Sequence, residues 1–256
     1  KRDGIAVVGV DDSDSRGLFD KLTAARTGKV VPISSSDPVE NGVYASGPIL
    51  IDATGDQPQE IRSLEGIETL PGAHNAQNAA AAYLVCKSVG VPNDDIVAAM
   101  ATYPGLPHRQ QLAAVIDGVR YVNDSKATNP EAAAKALSSY DEIYWIAGGR
   151  AKEGPLDVIY PFLPHVKRAY LIGEAADHLA AQLADRIDVE LCGDLALATA
   201  RAAADAAGRD AVILLSPACA SFDQFSSFEE RGRAFCRLAA AQPGTLRDVR
   251  HDGEAA

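Results

Sequence analysis

The feature that most constrains the fold is a short apolar segment, Ala211-Val-Ile-Leu-Leu-Ser216, which as a strand would have no polar face. Such a strand has to be covered on both sides, which is typical of the centre of a parallel sheet. Further strands are predicted near 111–116, 119–123, 142–147, 168–172 and 188–192, and helices near 130–139, 156–163, 175–185, 194–207 and 222–240. This alternation predicts a Rossmann-like α/β domain from residue 107 to the C-terminus.

The first 106 residues predict a separate domain of short strands and helices. Strands are expected at 5–10, 30–33, 43–46 and 48–52, and helices at 14–25, 74–89 and 93–103. The segment Tyr103-Pro-Gly-Leu-Pro107 is the best candidate for a linker, because its prolines and glycine interrupt regular structure. We therefore expect an α/β protein with domains at 1–106 and 107–256.

Composition excludes several classes of function. The net charge is −11, which disfavours a nucleic-acid partner, and no apolar run is long enough to predict a membrane span. The four cysteines form no CxxC pair and the five histidines are scattered, so we expect reduced thiols, a cytoplasmic location and no metal site within the chain. The chain also opens on Lys1 just before a predicted strand, which suggests a piece of something longer.

The loop Asn123-Asp-Ser-Lys-Ala-Thr-Asn129 is the strongest candidate for a ligand site. Asn129 followed by Pro130 is typical of a helix start, with Asn as N-cap and Pro in the first turn. That explanation does not cover the polar residues before them, Asp124, Ser125, Lys126 and Thr128. A lysine beside a helix N-terminus favours an anion between the two, although a solvated polar turn is the alternative.

Two more loops follow predicted strands and are expected at the same edge of the sheet. In Gly148-Gly-Arg-Ala-Lys152, the glycines would let backbone N–H groups approach a ligand, and Lys152 would add positive charge. The other is Ser216-Pro-Ala-Cys-Ala-Ser-Phe-Asp-Gln-Phe225. There Ser221 is either a ligand contact or the cap of the next helix, and Cys219 is interpreted as a buried thiol.

Two segments before these loops also have binding potential. In Gly72-Ala-His-Asn-Ala-Gln-Asn78, Asn75 and Asn78 would share a helical face and their amides could contact a planar ligand such as a purine. Helix capping by Asn75 is the alternative. In Pro107-His-Arg-Gln110, Arg109 is placed where it could reach a phosphate.

In chain order, the patterns GxHNxxN, LPHR, NDSKATN, GGxxK and SPACASFDQF resemble those of the Mur ligases, the ATP-dependent amide-bond-forming enzymes of peptidoglycan assembly. The resemblance implies that residues 1–106 are the C-terminal half of a P-loop-type central ATPase domain. It implies that residues 107–256 are the C-terminal Rossmann-like domain, which binds the incoming amino acid. The family's Walker loop and its Mg²⁺ ligands would precede Lys1.

The resemblance also implies an activity and a role for each candidate residue. The activity is addition of D-glutamate to UDP-N-acetylmuramoyl-L-alanine (UDP-MurNAc-L-Ala) through an acyl phosphate, with ATP and Mg²⁺, by a monomer. The residues implied to contact ATP are Asn75, Asn78, Arg109, Asp124 and Lys126. Those implied to hold D-glutamate are Thr128, Lys152, Ser221 and the backbone near Phe228, and Lys126 and Lys152 are the implied catalytic residues.

Two other functions remain open on sequence alone. A truncated, non-catalytic nucleotide-binding module would have the same loops without turnover. A Rossmann-type oxidoreductase is the weaker alternative, because no GxGxxG pattern follows any predicted strand.

Overall fold

The computed structural model describes residues 4–25, 28–152 and 155–247, which form two compact units, Lys1–Tyr103 and Pro104–Ala256. The boundary falls inside the segment interpreted as a linker. The three residues before Gly4, which include the predicted chain start, lie outside the described residues.

The first unit is a five-stranded sheet with helices packed against it. Its strands run in the order β1-β2-β3-β4-β5; β1, β2 and β3 are parallel, and β4 and β5 are antiparallel to their neighbours. The small and apolar side chains of α2, including Ala80 and Tyr83, pack on this sheet. The elements are β1 (Ile5–Gly9), α1 (Ser13–Ala25), β2 (Lys29–Ser34), β3 (Val43–Ser46), β4 (Ile49–Asp52), β5 (Gln59–Ser63), α2 (Ala73–Ser88) and α3 (Asn93–Ala101).

One strand of this unit was not expected from the sequence. The β5 sequence Gln59-Glu-Ile-Arg-Ser63 has no apolar alternation and none of its residues is buried. Because it lies at the edge of the sheet and pairs only with β4 among the described strands, its backbone hydrogen bonds define it.

The second unit is built on a seven-stranded sheet in the order β10-β9-β8-β11-β7-β6-β12. The five strands from β10 to β7 are parallel, and β6 and β12 extend the sheet with antiparallel pairing. The strands are β6 (Gln111–Ile116), β7 (Val119–Asn123), β8 (Ile143–Gly148), β9 (Val166–Ile172), β10 (Val189–Gly193), β11 (Val212–Leu215) and β12 (Leu246–Arg247). The predicted central strand is β11, and all four of its residues are buried.

Helices cover both faces of this sheet. One apolar core contains residues of α4, α5 and a 3-10 helix, and the other contains residues of α6 and α7. The bounds are α4 (Pro130–Leu137), the 3-10 helix (Asp157–His165), α5 (Ala176–Leu183), α6 (Leu195–Ala206) and α7 (Phe228–Ala240). A parallel sheet between two helical layers confirms the predicted Rossmann-like α/β fold.

Two predicted helices differ from the structure. Residues 157–165 form a 3-10 helix, which contains Pro161 and Pro164, because a proline inside an α-helix removes a backbone hydrogen bond and clashes with the preceding turn. The helix predicted from residue 222 begins only at Phe228, after a loop that follows β11.

No helix in the described part of the chain is long and apolar enough to cross a membrane. The four cysteines all lie within the described residues, and no disulfide joins any two of them.

Candidate active site at the ends of three adjacent strands

The three candidate loops meet at one edge of the second sheet. They follow β7, β8 and β11, and β11 lies between the other two strands with parallel pairing on both sides. Backbone hydrogen bonds then join the loops: Asp124 N donates to Leu215 O at 2.8 Å, and Gly148 N donates to Pro217 O at 2.9 Å. The expectation that the loops share one edge is confirmed.

The helix start in the first loop also forms as expected. The Asn129 side chain accepts a hydrogen bond from Ala132 N at 2.9 Å, and Pro130 occupies the first turn of α4. This cap fixes where the loop ends, because it satisfies a backbone N–H that the helix leaves without a partner.

The two lysines of these loops each contact a residue of another segment. Lys152 Nζ donates to Thr128 Oγ1 at 3.3 Å, which links the second loop to the first. Lys126 Nζ lies 5.1 Å from the centre of the Phe228 ring, within the range of a cation–π contact. These contacts join Lys152 to Thr128 and Lys126 to Phe228. The two pairs contain three of the four residues predicted to hold an amino acid, and both predicted catalytic lysines.

Neither lysine forms a salt bridge in the described part of the chain, although the charge of Lys126 helps to lower the pKa of the nearby Glu229 carboxylate. Among the described residues, no carboxylate oxygen lies within salt-bridge distance of Lys126 or Lys152, and both side chains are exposed. Two exposed cations without a salt-bridge partner are suited to an anionic ligand.

The glycines of the second loop allow close packing of the chain and do not direct their N–H groups at a ligand. The N–H groups of Gly148 and Gly149 donate to Pro217 O and Ile172 O, so they are not directed at a ligand. A Cβ on Gly149 would lie 2.2 Å from Ala220 O, and its φ is +127°. The prediction that these backbone donors bind a ligand was wrong; the glycines let strand ends and loops approach closely.

In the third loop, the structure separates the two interpretations of Ser221. The cap of α7 is Ser227, whose Oγ accepts from Glu230 N at 3.2 Å. Ser221 is 2% exposed, and its hydroxyl makes no hydrogen bond within the described part of the chain. Capping by Ser221 was therefore wrong, and its role as a ligand contact stays a prediction.

One of the two polar backbone groups of Phe228 already has a hydrogen-bond partner within the protein. Phe228 O accepts from Ser125 Oγ at 2.8 Å, so this carbonyl is held within the protein. Phe228 is the first residue of α7, where N–H groups are free of intrahelical partners. Its N–H is consequently the part of its backbone that suits a carboxylate.

Asp124 lies deeper than a residue at the surface of a nucleotide site. It is 7% exposed, and its carboxylate accepts from Ser216 Oγ at 2.8 Å and from Gln110 N at 3.2 Å. Burial raises the pKa of Asp124 to about 7, although the hydrogen bonds from Ser216 and Gln110 and the charge of Arg109 act in the other direction. Its predicted contact with ATP is untested, and its internal bonds give it a structural role.

This raised pKa predicts that stability falls as pH rises. Between the unfolded pKa near 4 and the folded pKa of about 7, the folded state holds a proton that the unfolded state has lost. The stabilising effect of that proton is complete below pH 4 and is lost as pH rises through 7. We expect an Asp124→Asn variant to lack this component. Its free energy of unfolding relative to wild type should therefore rise between pH 4 and 7, as measured by urea denaturation at several pH values.

Serine 216 provides the control for this experiment. Ser216→Ala removes the hydroxyl that bonds Asp124 but leaves the carboxyl group, so the pH dependence should persist, with the fall in stability still beginning near pH 4 but ending at a higher pH. A constant difference between wild type and Asp124→Asn across this range would contradict the raised pKa.

Two buried residues, His108 and Asn123, stabilise the conformation of the first loop. His108 has a φ of 62°, and its ring meets the Phe228 ring edge-on at 6.2 Å between centroids. Asn123, which is fully buried, lies 2.9 Å from His108 Nδ1 through its Nδ2 and accepts from Ser125 N through Oδ1. The loop is therefore held by tertiary contacts that sequence patterns alone do not predict.

Three further residues are predicted to contact ATP. Asn75 and Asn78 are in α2 of the first unit, where Asn78 Nδ2 donates to Asn75 Oδ1 at 3.3 Å. Asn75 Nδ2 donates to Pro71 O, and no side chain caps the start of α2, so the capping alternative for Asn75 was wrong. Arg109 is exposed at the surface of the second unit.

Cys219 is buried, and burial raises its pKa to about 11, which agrees with an inert thiol. Within the residues that the structure describes, no group of three or more histidine, cysteine, aspartate or glutamate side chains could hold a metal ion. The expectation of no metal site in this chain stays a prediction.

Comparison with known proteins identifies the family. The model of the Mur ligase glutamate ligase domain matches residues 108–219, which contain the first two loops and the start of the third. UDP-N-acetylmuramoylalanine–D-glutamate ligase of Rhizobium meliloti (strain 1021) is 53% identical over 245 residues, covering 94% of this chain and 52% of that protein. This chain belongs to the Mur ligase family. It spans about half the length of the curated relatives it matches.

A second curated relative and two solved structures are also similar to this chain. The Rhodospirillum rubrum ligase of the same name is 49% identical, with 96% of this chain and 54% of that protein covered. Among solved structures, MurF from Acinetobacter baumannii has a TM-score of 0.59 at 16% identity, over 94% of this chain and 52% of that one. A bifunctional folylpolyglutamate synthase/dihydrofolate synthase from Yersinia pestis has a TM-score of 0.58 at 19% identity, over 93% and 53% of the two chains. These structural matches show the shared fold.

Proposed function

We propose that this chain is the part of an ATP-dependent ligase that binds the incoming D-glutamate and joins it to UDP-MurNAc-L-Ala. The observation that supports this most is that Lys126 and Lys152, which form no salt bridge with the described residues, both lie at the edge where three loops meet. The name carried by relatives 53% and 49% identical supports the same activity.

The chemistry of the loops suits a dicarboxylate amino acid. Lys152 and Thr128 form one polar pair, and the hydroxyl of Ser221 and the N–H of Phe228 are donors with no committed acceptor among the described residues. A lysine ammonium, two hydroxyls and a backbone N–H can each donate to a carboxylate oxygen. We assign these four residues to the two carboxylates of D-glutamate.

Lys126 is assigned to the phosphate side of the reaction. Its backbone N–H is fixed by His108 O at 3.1 Å, and its ammonium rests on the Phe228 ring. In amide formation through an acyl phosphate, negative charge develops on the transferred phosphoryl group and on the tetrahedral intermediate. A fixed cation there lowers the barrier without reorganising when the charge appears. Arg109, Asp124, Asn75 and Asn78 are proposed to contact ATP.

Mg²⁺ belongs to the proposed reaction, but the described residues do not form a site for it. We therefore assign no residue of this chain to the metal and no step of the chemistry through it. We also propose a cytoplasmic location, supported by four cysteines that form no disulfide among themselves.

A phosphate-release assay on the product of the complete reading frame that encodes this chain tests the proposal. With ATP, Mg²⁺ and UDP-MurNAc-L-Ala present, adding D-glutamate should start phosphate release and form one amide per phosphate. L-Glutamate is the matched control, because it has the same charges with the opposite configuration at Cα. Nucleotide binding without any D-glutamate-dependent release would favour the non-catalytic module instead.

A further inference from the structure

The candidate site rests on a buried arginine that belongs to none of its loops. Arg231 lies in the second turn of α7 and is 1% exposed, although it carries a full charge. Among the described lysines and arginines it is the only one in the buried class. Burial lowers the pKa of Arg231 to about 10, so it remains a cation at neutral pH.

Its partners are neutral oxygens from all three loops. Arg231 Nε donates to Ser125 Oγ at 3.0 Å, and Nη2 donates to Ser125 O at 2.9 Å and to Cys219 O at 3.1 Å. The contact from Nη1 to Gly148 O is longer, at 3.4 Å. The oxygens of Ser125 and Cys219 lie just after β7 and β11, and Gly148 is the last residue of β8, so one guanidinium joins three adjacent strand ends.

Burying the charge of Arg231 is unfavourable for the stability of the fold. A buried charge needs compensation, and no carboxylate oxygen of the described residues lies within 4 Å of Arg231. Carbonyl dipoles and the charge of the more distant Asp223 compensate it only in part, and apolar residues of similar volume commonly serve stability as well or better. A planar group with donors in fixed directions does, however, set the relative positions of several oxygens at once.

The bonds of Arg231 favour one side of the proposed site. Ser125 Oγ, which accepts from Arg231, donates in turn to Phe228 O, and Cys219 lies two residues before Ser221. These connections lead towards Phe228 and Ser221, which are assigned to the amino acid, and Ser125 itself lies between Asp124 and Lys126, which are assigned to the ATP side. The ATP side has other anchors, because Ser216 and Gln110 hold Asp124 and His108 O holds the Lys126 backbone.

We propose that Arg231 is a positioning residue for the carboxylate-binding loops, setting the geometry in which they receive an anionic amino acid; this role rests on the proposed function. The buried cation also adds positive potential beneath a ligand that carries two negative charges, in surroundings where water screens little.

Steady-state kinetics of the ligase encoded by the complete reading frame test this role. Arg231→Met keeps the volume and removes the charge and all donors; we expect KM for D-glutamate to rise by at least ~10-fold while KM for ATP changes by less than ~3-fold. Arg231→Lys keeps the charge with fewer directed bonds and should lie between Met and wild type. The matched control is Arg233→Met, an exposed position two residues along the same helix, for which both constants should stay within ~2-fold.

Two results would overturn the proposal: an unchanged KM for D-glutamate, or an equal loss in every kinetic constant, which would indicate general damage. If Arg231→Met does not fold, a Ser125→Ala variant tests the proposal instead. It removes the hydroxyl that links Arg231 to Phe228 O, and it should also raise KM for D-glutamate selectively. Wild-type protein that does not use D-glutamate refutes the proposed function itself. An active wild type with unaffected variants refutes only the role of Arg231.

Discussion

Replacing Lys152 with alanine is expected to lower kcat/KM for D-glutamate by roughly 10²–10³-fold in the ligase encoded by the complete reading frame. Lys152 is exposed, its ammonium is bonded to Thr128 Oγ1, and no carboxylate in the described residues neutralises it. Its loss therefore removes charge directed at the ligand while disturbing little of the fold. Amide formation should be followed as phosphate release over a range of D-glutamate concentrations.

The matched control for this change is Lys135→Ala. Lys135 is also exposed and lies on the nearby helix α4, but its side chain is not at the loop edge. Its replacement should leave kcat/KM within about 2-fold of wild type. Equal effects at the two positions would show that general surface charge, and not Lys152, attracts the substrate.

Gly149→Ala is expected to destabilise the second unit by about 2–6 kcal/mol. Two costs add: Gly149 has a φ of +127°, and a Cβ there would lie 2.2 Å from Ala220 O and 3.1 Å from Arg231 Nη1. Backbone at such a distance has to move, and the third loop would move with it. Urea denaturation monitored by circular dichroism measures the loss.

A Gly118→Ala variant separates the effect of backbone strain from the effect of the close contact with Ala220 O. Gly118 also has a positive φ, +89°, but a Cβ there would meet nothing within 4 Å. Only backbone strain remains, which is about 1–2 kcal/mol. If the two variants lose the same stability, close packing of the loops at Gly149 is not what requires a glycine.

Local chemistry explains which parts of this structure could be predicted from sequence. The Asn129–Pro130 helix start and the buried strand at 212–215 follow from residues that interact with their immediate neighbours, and both formed as expected. The cap at Ser227 also had a local signal, because Glu230 follows three residues later as in a capping box. A cap at Ser221 would place the start of the helix too early, because the loop after β11 is longer than its sequence suggests.

Other features depend on contacts between distant segments. Strand β5 has no apolar pattern, and His108 combines a positive φ with packing against Phe228 and Gly232. Arg231 had a partial signal, since it lies four residues before the buried Phe235 on the same face of α7. The spacing predicts burial, but an arginine there would ordinarily be assigned to the solvent; its oxygen partners come from three other loops.

The order of the strands has a consequence for biosynthesis. Strand β11 follows β7 and β8 by many residues in the chain, yet it is inserted between them. As the chain is made from its N-terminus, β7 and β8 have no shared partner until residues 212–215 emerge. The first two loops therefore acquire their final spacing only when nearly all of the domain has been synthesised. Ligand affinity can accordingly report completed folding of this unit.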